Sequence, residues 1–497
     1  MDALYLGIDI GTSSSKGVLV DEAGRVSHRA QVPHAMSLPQ PGWAEHDAEE
    51  IWWADFVALA RELASHAPRP ITAVGVSGIG PCLLPVDGNG RPLRPAILYG
   101  VDSRASREIA ELTEQYGASA ILARGGSALS SQAVGPKILW LRKNEPDVWA
   151  ATRRVHMASS FLVERLTGAY VLDHHSASQC DPLYDLSAEA WIADWAADVA
   201  PGLALPRLAW SDEVAGTVTV DAANATGIAA GTPVAVGTID AWAEALSVGV
   251  QAPGDTMLMY GTTMFIVSVT DRVVPHPAMW ATTGVTAGSR TFAAGMATSG
   301  ALTNWFRALV GDPPFEELLA AAAGARAGSE GLVVLPYFAG ERTPIYDPSA
   351  RGLILGLTLR HGRAELYRAL LEGTAYGVRH IMETMQLAGT RPARIVAVGG
   401  GTKGDLWTRI VSDVTGLLQG IPTETIGAAY GDAMLAAMAT GNRDAPSWNA
   451  IVDTIEPDTA AAGLYDEFYG IYRSLYPSTL PQAHALAAIQ ERGSGAH

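Results

Sequence analysis

The sequence predicts an α/β protein made of two halves that begin alike. Strand-like apolar runs alternate with helix-like segments along the chain, and one strand–turn–strand pattern occurs twice. Residues 4–10 and 16–20 flank a turn of glycine and hydroxyl residues, and residues 255–260 and 264–269 flank Gly261-Thr-Thr. We therefore predict a duplicated architecture with one ligand between the halves, divided into residues 1–248 and 249–497.

Further elements follow from apolar spacing, caps and turn residues. We predict strands at 26–32, 71–77, 233–240, 332–336 and 394–399. Helices are predicted at 48–65 (after an Asp47 cap), 103–116, 137–143, 161–166, 241–248, 301–309, 364–387, 405–415 and 430–439.

Composition limits the classes of partner. The net charge of −17 disfavours a nucleic-acid backbone or an anionic membrane as a large partner surface. The two cysteines, Cys82 and Cys180, stand in no CxxC pattern, so neither a disulfide framework nor a cysteine zinc site is expected. With no apolar run of about 20 residues and no basic leader, we expect a cytoplasmic protein.

The first hairpin carries the strongest chemical signal. Its first strand ends in Asp9, and a Gly-Thr-Ser turn follows. Turn amides and hydroxyls bind phosphate, and a neighbouring carboxylate binds Mg²⁺ or its waters. The alternative is a surface hairpin with a solvated aspartate.

A second acid, Asp240, ends the apolar run 233–239 and precedes a helix. Open α/β sheets bind ligands outside strand ends, and phosphoryl transfer to an alcohol needs a carboxylate that accepts the hydroxyl proton. An aspartate that only caps the helix is the alternative interpretation.

Two glycine clusters lie elsewhere. Gly399-Gly-Gly401-Thr-Lys-Gly404 matches GxGxxG, with Glu424 twenty residues beyond it, and indicates a mononucleotide site, an NAD-type site or a structural turn. The cluster from Gly75 to Gly80 re-enters a strand, which favours a substrate wall or a structural bend. The sequence contains no GxxxxGK[ST] motif.

Several segments together resemble the FGGY carbohydrate kinases, and within them the xylulokinase branch. Gly7-Ile-Asp9-Ile-Gly-Thr-Ser13 with Lys16 is similar to the family's first phosphate loop. The other similar segments are Gly42-Trp-Ala-Glu-His-Asp47, Arg94-Pro-Ala-Ile-Leu98 with Asp102 and Arg104, Pro136-Lys-Ile-Leu-Trp140, Leu335-Pro-Tyr-Phe-Ala-Gly-Glu341-Arg-Thr-Pro344 and Gly352-Leu-Ile-Leu-Gly356.

The resemblance implies two actin-like ATPase (ribonuclease H-like) domains, an N-terminal sugar-binding lobe and a C-terminal nucleotide-binding lobe, with a catalytic cleft between them. It implies ATP and Mg²⁺ as cofactors, Asp240 as the catalytic base and Asp9 as the metal-associated acid. The implied nucleotide-binding residues are Gly11, Thr12, Ser13, Lys16, Gly261, Thr262, Thr263, Gly300, Asn304, Gly400, Gly401 and Asp405. The implied substrate residues are Gly80, Pro81, Asp102 and Asp240.

This chain departs from the xylulokinase pattern near the substrate. Gly80-Pro81-Cys82 replaces a Met-His-Gly loop, and Ala241 follows the expected base where xylulokinases have asparagine. We expect a ketopentose such as xylulose as substrate, with another ketose or a polyol as the alternative. An actin-like nucleotide-binding sensor is the non-kinase alternative, and a homodimer is expected.

Overall fold

A computed structural model describes residues 3–494, which form two compact units. The first unit contains the described residues up to 251, together with 275–291 and 426–450. The second contains 252–274, 292–425 and the described residues from 451 onward. The units are thus discontinuous in sequence, whereas the predicted division at 248/249 assigned 275–291 and 426–450 to the second half.

Strands and helices are numbered in chain order. The strands are β1 (Leu4–Ile10), β2 (Ser14–Asp21), β3 (Val26–Pro33), β4 (Glu45–His46), β5 (Ala73–Gly78), β6 (Leu84–Val86), β7 (Ala96–Ile97), β8 (Arg154–His156), β9 (Val171–Asp173), β10 (Tyr184–Asp185), β11 (Ala190–Trp191), β12 (Arg207–Ala209), β13 (Val214–Thr217), β14 (Pro233–Ala235), β15 (Thr238–Ile239), β16 (Asp255–Tyr260), β17 (Met264–Thr270), β18 (Trp280–Thr283), β19 (Arg290–Met296), β20 (Val333–Leu335), β21 (Leu353–Leu355), β22 (Arg394–Val398), β23 (Gln419–Pro422) and β24 (Ile451–Ile455). The α-helices are α1 (Ala54–His66), α2 (Ser106–Tyr116), α3 (Ala118–Gly125), α4 (Val134–Asn144), α5 (Pro146–Ala151), α6 (Ala158–Thr167), α7 (His174–Ala177), α8 (Ala193–Val199), α9 (Val220–Thr226), α10 (Asp240–Ser247), α11 (Gly300–Leu309), α12 (Phe315–Gly324), α13 (Arg363–Leu387), α14 (Asp405–Thr415), α15 (Ala428–Ala439) and α16 (Ala462–Ser494).

The sheet of the first unit has the strand order β13-β14-β5-β1-β2-β3, and β15 also pairs with β5. β1 is antiparallel to β2 and parallel to β5. Leu6, Ile8 and Ile10 of β1 lie in a buried cluster with apolar residues of α1 and α6. Because side chains alternate along a strand, Gly7 and Asp9 point to the opposite face of the sheet.

Helix α15 covers that opposite face at very short range. A Cβ added at Gly7 would lie 2.0 Å from the carbonyl oxygen of Ala429, and one added at Gly75 would lie 1.9 Å from that of Asp432. Both distances are far below a normal contact, so these strand positions require glycine. This packing explains why α15 belongs to the first unit.

The predicted elements around the site are present, with one informative difference. The hairpin β1–β2 and the Asp47 cap are confirmed. The Asp47 carboxylate accepts the N–H groups of Glu49 and Glu50 at the start of a π-helical segment, Ala48–Trp53, which continues directly into α1. The predicted strand 233–240 is divided into β14 and β15, because Gly237 between them has a φ of +74°. Asp240 is consequently the first residue of α10 and not the last residue of a strand.

The sheet of the second unit runs in the order β19-β17-β16-β22-β23-β24. Its strand β16 is antiparallel to β17 and parallel to β22, the same relations that β1 has with β2 and β5. This repeated topology agrees with the duplication predicted from the two hairpins. None of the described helices is both long and apolar enough to cross a membrane.

Candidate active site

Asp9 lies at the end of β1, beside the turn that leads into β2. The Asp9 side chain faces Lys16 across the hairpin, since the two residues are direct partners in the strand register. Burial raises the pKa of Asp9 to about 6, while the Ser77 hydroxyl and the charges of Lys16 and His34 act in the opposite direction. Gly11, Thr12 and Ser13 form the adjoining turn, in which the Gly11 N–H donates to the carbonyl oxygen of Ser14 at 3.2 Å.

The residues at this turn fit the magnesium ion that the family resemblance implies. Asp9 Oδ1 is 3.1 Å from the Ser77 hydroxyl, whereas a Cβ added at Gly11 would lie 3.7 Å from Asp9 Oδ2. The glycine therefore places no side chain beside a carboxylate oxygen, the ligand type that Mg²⁺ prefers. Within residues 3–494, no three or more histidine, cysteine or acidic side chains form a metal site. A magnesium ion here would depend on Asp9, waters and substrate phosphate, as Mg²⁺ commonly does.

Helix α10 presents two acids to the same region. Asp240 and Glu244 are four residues apart and therefore lie on one face of the helix. Burial, and then the negative charge of Asp9, raises the pKa of Asp240 well above its ordinary value. Burial and the charge of Asp9 also raise the pKa of Glu244 to about 7. Glu244 is not among the predicted site residues, although its spacing from Asp240 is a usable signal in the sequence.

Sequence analysis also missed the pair Ser77 and Asp432. Ser77 stands beside Asp9 in the parallel register of β1 and β5, and its hydroxyl oxygen is 2.7 Å from Asp432 Oδ2. Both side chains are fully buried. Asp432 is the only charged residue of the otherwise apolar α15, and this isolated charge is a signal that the sequence offers.

A third missed group lies beneath the first turn. His34 Nε2 is 3.0 Å from the carbonyl oxygen of Gly11, and His34 Nδ1 is 2.8 Å from Asp55 Oδ2. The Ser15 hydroxyl donates to the same Asp55 oxygen at 2.7 Å. Because the carbonyl and the carboxylate can only accept, both ring nitrogens of His34 carry protons and the ring is positively charged.

This charge predicts a pH-dependent stability. Burial alone would lower the pKa of His34, but the hydrogen bonds to Asp55 and Gly11 raise it above 6.5. Two other titratable groups interact with His34, namely Asp9 and His46. The His46 ring is 5.1 Å from that of His34, and burial and the His34 charge lower the pKa of His46 to about 4.

We expect His34→Gln to lower the midpoint of thermal unfolding most below pH 6.5, where the raised pKa of His34 contributes fully to stability. The difference from wild type should shrink as the pH rises through the pKa of His34 in the folded protein. His66→Gln, at an exposed histidine, is the control. An equal loss at every pH would contradict a charged His34.

The predicted substrate loop lies directly beside α10. A Cβ added at Gly80 would be 2.7 Å from Cγ1 of Ile239, the residue that precedes Asp240. Pro81 and Cys82 are buried, and the negative charge of Asp240 acts on the Cys82 thiol, whose pKa burial raises. The loop thus approaches Asp240 with backbone and apolar groups.

Asp102 has a different environment from the one expected of a substrate contact. Its carboxylate accepts the Ala44 N–H at 2.8 Å and three short hydrogen bonds from the Arg104 guanidinium. Arg104 also pairs with Glu45 at 2.8 Å and stacks 3.9 Å from the ring of Trp43. Asp102 is only 1% exposed, so its oxygens are already used in a buried ion network.

We therefore expect Arg104→Met to reduce the free energy of unfolding by about 3–5 kcal/mol, because it leaves the buried Asp102 and Glu45 without their shared cation. Chemical unfolding measures this loss. The control is Arg107→Met at an exposed arginine of α2. An unchanged stability together with a raised sugar KM would instead indicate that this network contacts the substrate.

The second unit brings several predicted nucleotide residues together. The turn Gly261–Thr263 joins β16 to β17 and lies against the start of α11, where the Gly300 and Ala301 N–H groups donate to the carbonyls of Gly261 and Thr262 at 2.9 and 3.0 Å. A Cβ added at Gly300 would be 2.6 Å from the Gly261 oxygen. Asn304 is exposed one helical turn later on the same face of α11.

The Gly399–Gly404 loop belongs to the same unit. It connects β22 to α14, and β23 then pairs in parallel with β22, so the loop stands in a β-α-β unit. A Cβ added at Gly401 would be 2.8 Å from Cβ of Tyr260, which precedes Gly261, whereas the space beside Gly400 is open. Asp405 is exposed at the first position of α14.

Comparisons with known proteins agree with the family resemblance of the sequence. Residues 4–247 match the N-terminal domain of the FGGY family of carbohydrate kinases, and residues 256–440 match its C-terminal domain. The chain is 30% identical to a xylulose kinase of Klebsiella pneumoniae (88% of this chain, 90% of the relative) and 30% identical to a glycerol kinase of Nocardia farcinica (87% and 89%). The crystal structure of xylulose kinase from Rhodospirillum rubrum is similar, with 33% identity, a TM-score of 0.91 and coverage of 97% of this chain and 100% of that one.

The matched family consists of carbohydrate kinases and gives no support to the NAD alternative for the Gly399 loop. One conclusion follows from the acids at the end of β1 and the start of α10, the glycine turns in the two related hairpins and the matches to both family domains. This chain belongs to the FGGY family of carbohydrate kinases.

Proposed function

We propose that this carbohydrate kinase uses ATP and Mg²⁺ to phosphorylate a hydroxyl of a ketopentose such as xylulose. The observation that carries the proposal is Asp240, a carboxyl at the start of α10 whose pKa burial and Asp9 raise. A carboxylate with a raised pKa is a better proton acceptor, as a general base must be. The xylulose kinase relatives support the choice of sugar.

In this proposal Asp240 accepts the proton of the attacking hydroxyl, and Asp9 holds the metal. When bound, Mg²⁺ neutralises charge on the transferred phosphoryl group. Thr12 and Ser13 supply hydroxyl groups to the phosphate, and the positive charges of Lys16 and His34 offset the negative charge of Asp9. Within the second unit, Thr262, Asn304 and the open backbone at Gly400 form the nucleotide-binding surface.

The test is a coupled assay of ADP release with ketopentoses, polyols and gluconate as separate acceptors. We expect a ketopentose to give the highest kcat/KM, and we expect release to require a divalent metal. ATP binding without acceptor-stimulated turnover would instead support the nucleotide-binding sensor. Turnover with gluconate alone would overturn the ketopentose assignment.

A polyol kinase is the second candidate function. Gly80 and Pro81 contribute no side-chain hydrogen bond near Asp240, and a site that lacks such groups discriminates weakly against an acceptor with fewer polar groups. The glycerol kinase relative is consistent with this alternative. The same assay separates the two, because a polyol kinase would prefer glycerol or xylitol to xylulose.

A further inference from the structure

Asp432 is a buried carboxyl group that the proposed chemistry does not use. It lies in α15 and is fully buried, and its Oδ2 atom is 2.7 Å from the Ser77 hydroxyl oxygen. Its other oxygen, Oδ1, is buried with no hydrogen-bond partner within the described part of the chain. An ionised carboxylate in such a place is strongly disfavoured, because it has lost water and gained hydrogen bonds from Ser77 alone.

Glycines fix the position of this carboxyl group. Gly75 lies two residues before Ser77 in β5, and its backbone touches the Asp432 carbonyl so closely that an added Cβ would be 1.9 Å from it. On another side of α15, a Cβ added at Gly431 would be 1.9 Å from the carbonyl oxygen of Ala243 in α10. Helix α15 therefore packs at close range against both β5 and α10.

The number of protons available to Ser77, Asp9 and Asp432 limits how these three groups can be hydrogen-bonded. The Ser77 hydroxyl has one proton, yet its oxygen is within hydrogen-bond distance of two carboxyl groups, Asp432 at 2.7 Å and Asp9 at 3.1 Å. Two ionised carboxylates would compete for that single proton. If one carboxyl is protonated, it donates to the serine oxygen, and the serine donates to the other.

The surroundings decide which carboxyl holds the proton. Asp9 is 8% exposed and faces the positively charged Lys16 across the hairpin. Asp432 is fully buried, and the charges that act on it most are the negative ones of Asp9 and Asp240. The proton therefore belongs on Asp432.

We propose that Asp432 is a positioning residue, held as a neutral carboxylic acid, which donates to Ser77 so that the serine hydroxyl donates to Asp9. This chain of two hydrogen bonds orients the Asp9 carboxylate, with Oδ1 held by Ser77 and Oδ2 on the side of Gly11. It also keeps one negative charge out of a region that already holds Asp9, Asp240 and Glu244. Burial, which raises the pKa of Asp432 well above its ordinary value, agrees with this assignment.

The proton itself is tested by infrared spectroscopy of the free enzyme at neutral pH. The difference spectrum between wild type and Asp432→Asn should contain the carbonyl band of one protonated carboxylic acid. Asp173→Asn is the matched control, because Asp173 is also buried but accepts hydrogen bonds from Ser176, Ser211 and Thr238, and its pKa is about 6. Its difference spectrum should be dominated by a carboxylate band. Loss of a carboxylate band in Asp432→Asn would overturn the proposal.

The positioning role rests on the proposed function of Asp9 and is tested through the metal. Asp432→Ala should raise the Mg²⁺ concentration for half-maximal activity about tenfold, as expected when a group that orients a metal ligand is removed. Asp432→Asn can still donate to Ser77 and should recover most of this loss. In a Ser77→Ala background, Asp432→Ala and Asp432→Asn should change the Mg²⁺ requirement equally, because the serine hydroxyl that links Asp432 to Asp9 is absent.

Thermal unfolding identifies any variant that fails to fold, and Asp432→Asn keeps the shape of the side chain. An unchanged Mg²⁺ requirement in folded Asp432→Ala would refute the positioning role. If no acceptor supports ADP release, the proposed function fails, but the infrared result still decides where the proton lies. The two failures are therefore distinguishable.

Discussion

Asp240→Asn is expected to lower the turnover number for sugar-dependent ADP release by about 10²–10⁴-fold, the usual contribution of a general base. Asparagine has nearly the same shape but cannot accept the hydroxyl proton. ATP binding, measured by nucleotide titration, should be nearly unchanged, because the substitution removes no nucleotide contact proposed above. Steady-state kinetics in the coupled ADP assay measure the loss.

The matched control is Asp194→Asn, which also changes an acid in the first turn of a helix but at an exposed position of α8. Its turnover should match that of wild type. Near-normal turnover in Asp240→Asn would contradict the assignment of the base. Asp240 would then be an aspartate that only caps the helix, which is the alternative interpretation of the sequence.

Gly75→Ala is expected to lower the free energy of unfolding by about 3 kcal/mol or more, one of the largest losses for a single added methyl group in the first unit. The new Cβ would lie 1.9 Å from the carbonyl oxygen of Asp432 and 2.6 Å from its carbon, and both are backbone atoms that cannot rotate away. Either the protein unfolds at lower temperature or α15 moves away from β5. Thermal unfolding and the Mg²⁺ requirement report these two outcomes.

Gly88→Ala is the matched control in the same unit. The nearest atom to a Cβ added there is a side-chain carbon of Arg153 at 3.9 Å, an ordinary contact. This substitution should be neutral or stabilise by up to about 1 kcal/mol, since alanine restricts the unfolded chain. If Gly75→Ala were equally neutral, the close approach of α15 to β5 would be wrong, and the position of Asp432 with it.

Local patterns were sufficient for the hairpin that carries Asp9 and for the helix that follows Asp47. The hairpin β1–β2 follows from two apolar runs around a Gly-Thr-Ser turn, and the helix after Asp47 follows from a capping aspartate. These features depend on residues adjacent in sequence, so their observed bounds differ from the predicted ones by only a few residues. The break between β14 and β15 was missed because a positive φ at Gly237 leaves no periodic signal.

The same limit applies to the prediction for Asp102. Its motif suggested a substrate contact, but the Arg104 guanidinium and the Ala44 N–H occupy its oxygens. Ala44 is 58 residues from Asp102, so this pairing depends on how the chain folds back. A motif identifies the kind of residue at a position, but not whether its polar atoms are already bound.

By itself, the sequence determined that this protein is a two-part α/β carbohydrate kinase, because strand periodicity, turn chemistry and family motifs are local properties. It also identified Asp9, Asp240 and the glycine turns as candidates. The tertiary structure alone decided which side chains surround Asp9. Ser77 and Asp432 are 355 residues apart and meet only because Gly7 and Gly75 let α15 lie directly on the sheet. No local pattern encodes such an approach. It requires the backbone of one element to occupy the space that a side chain would fill on another element distant in sequence.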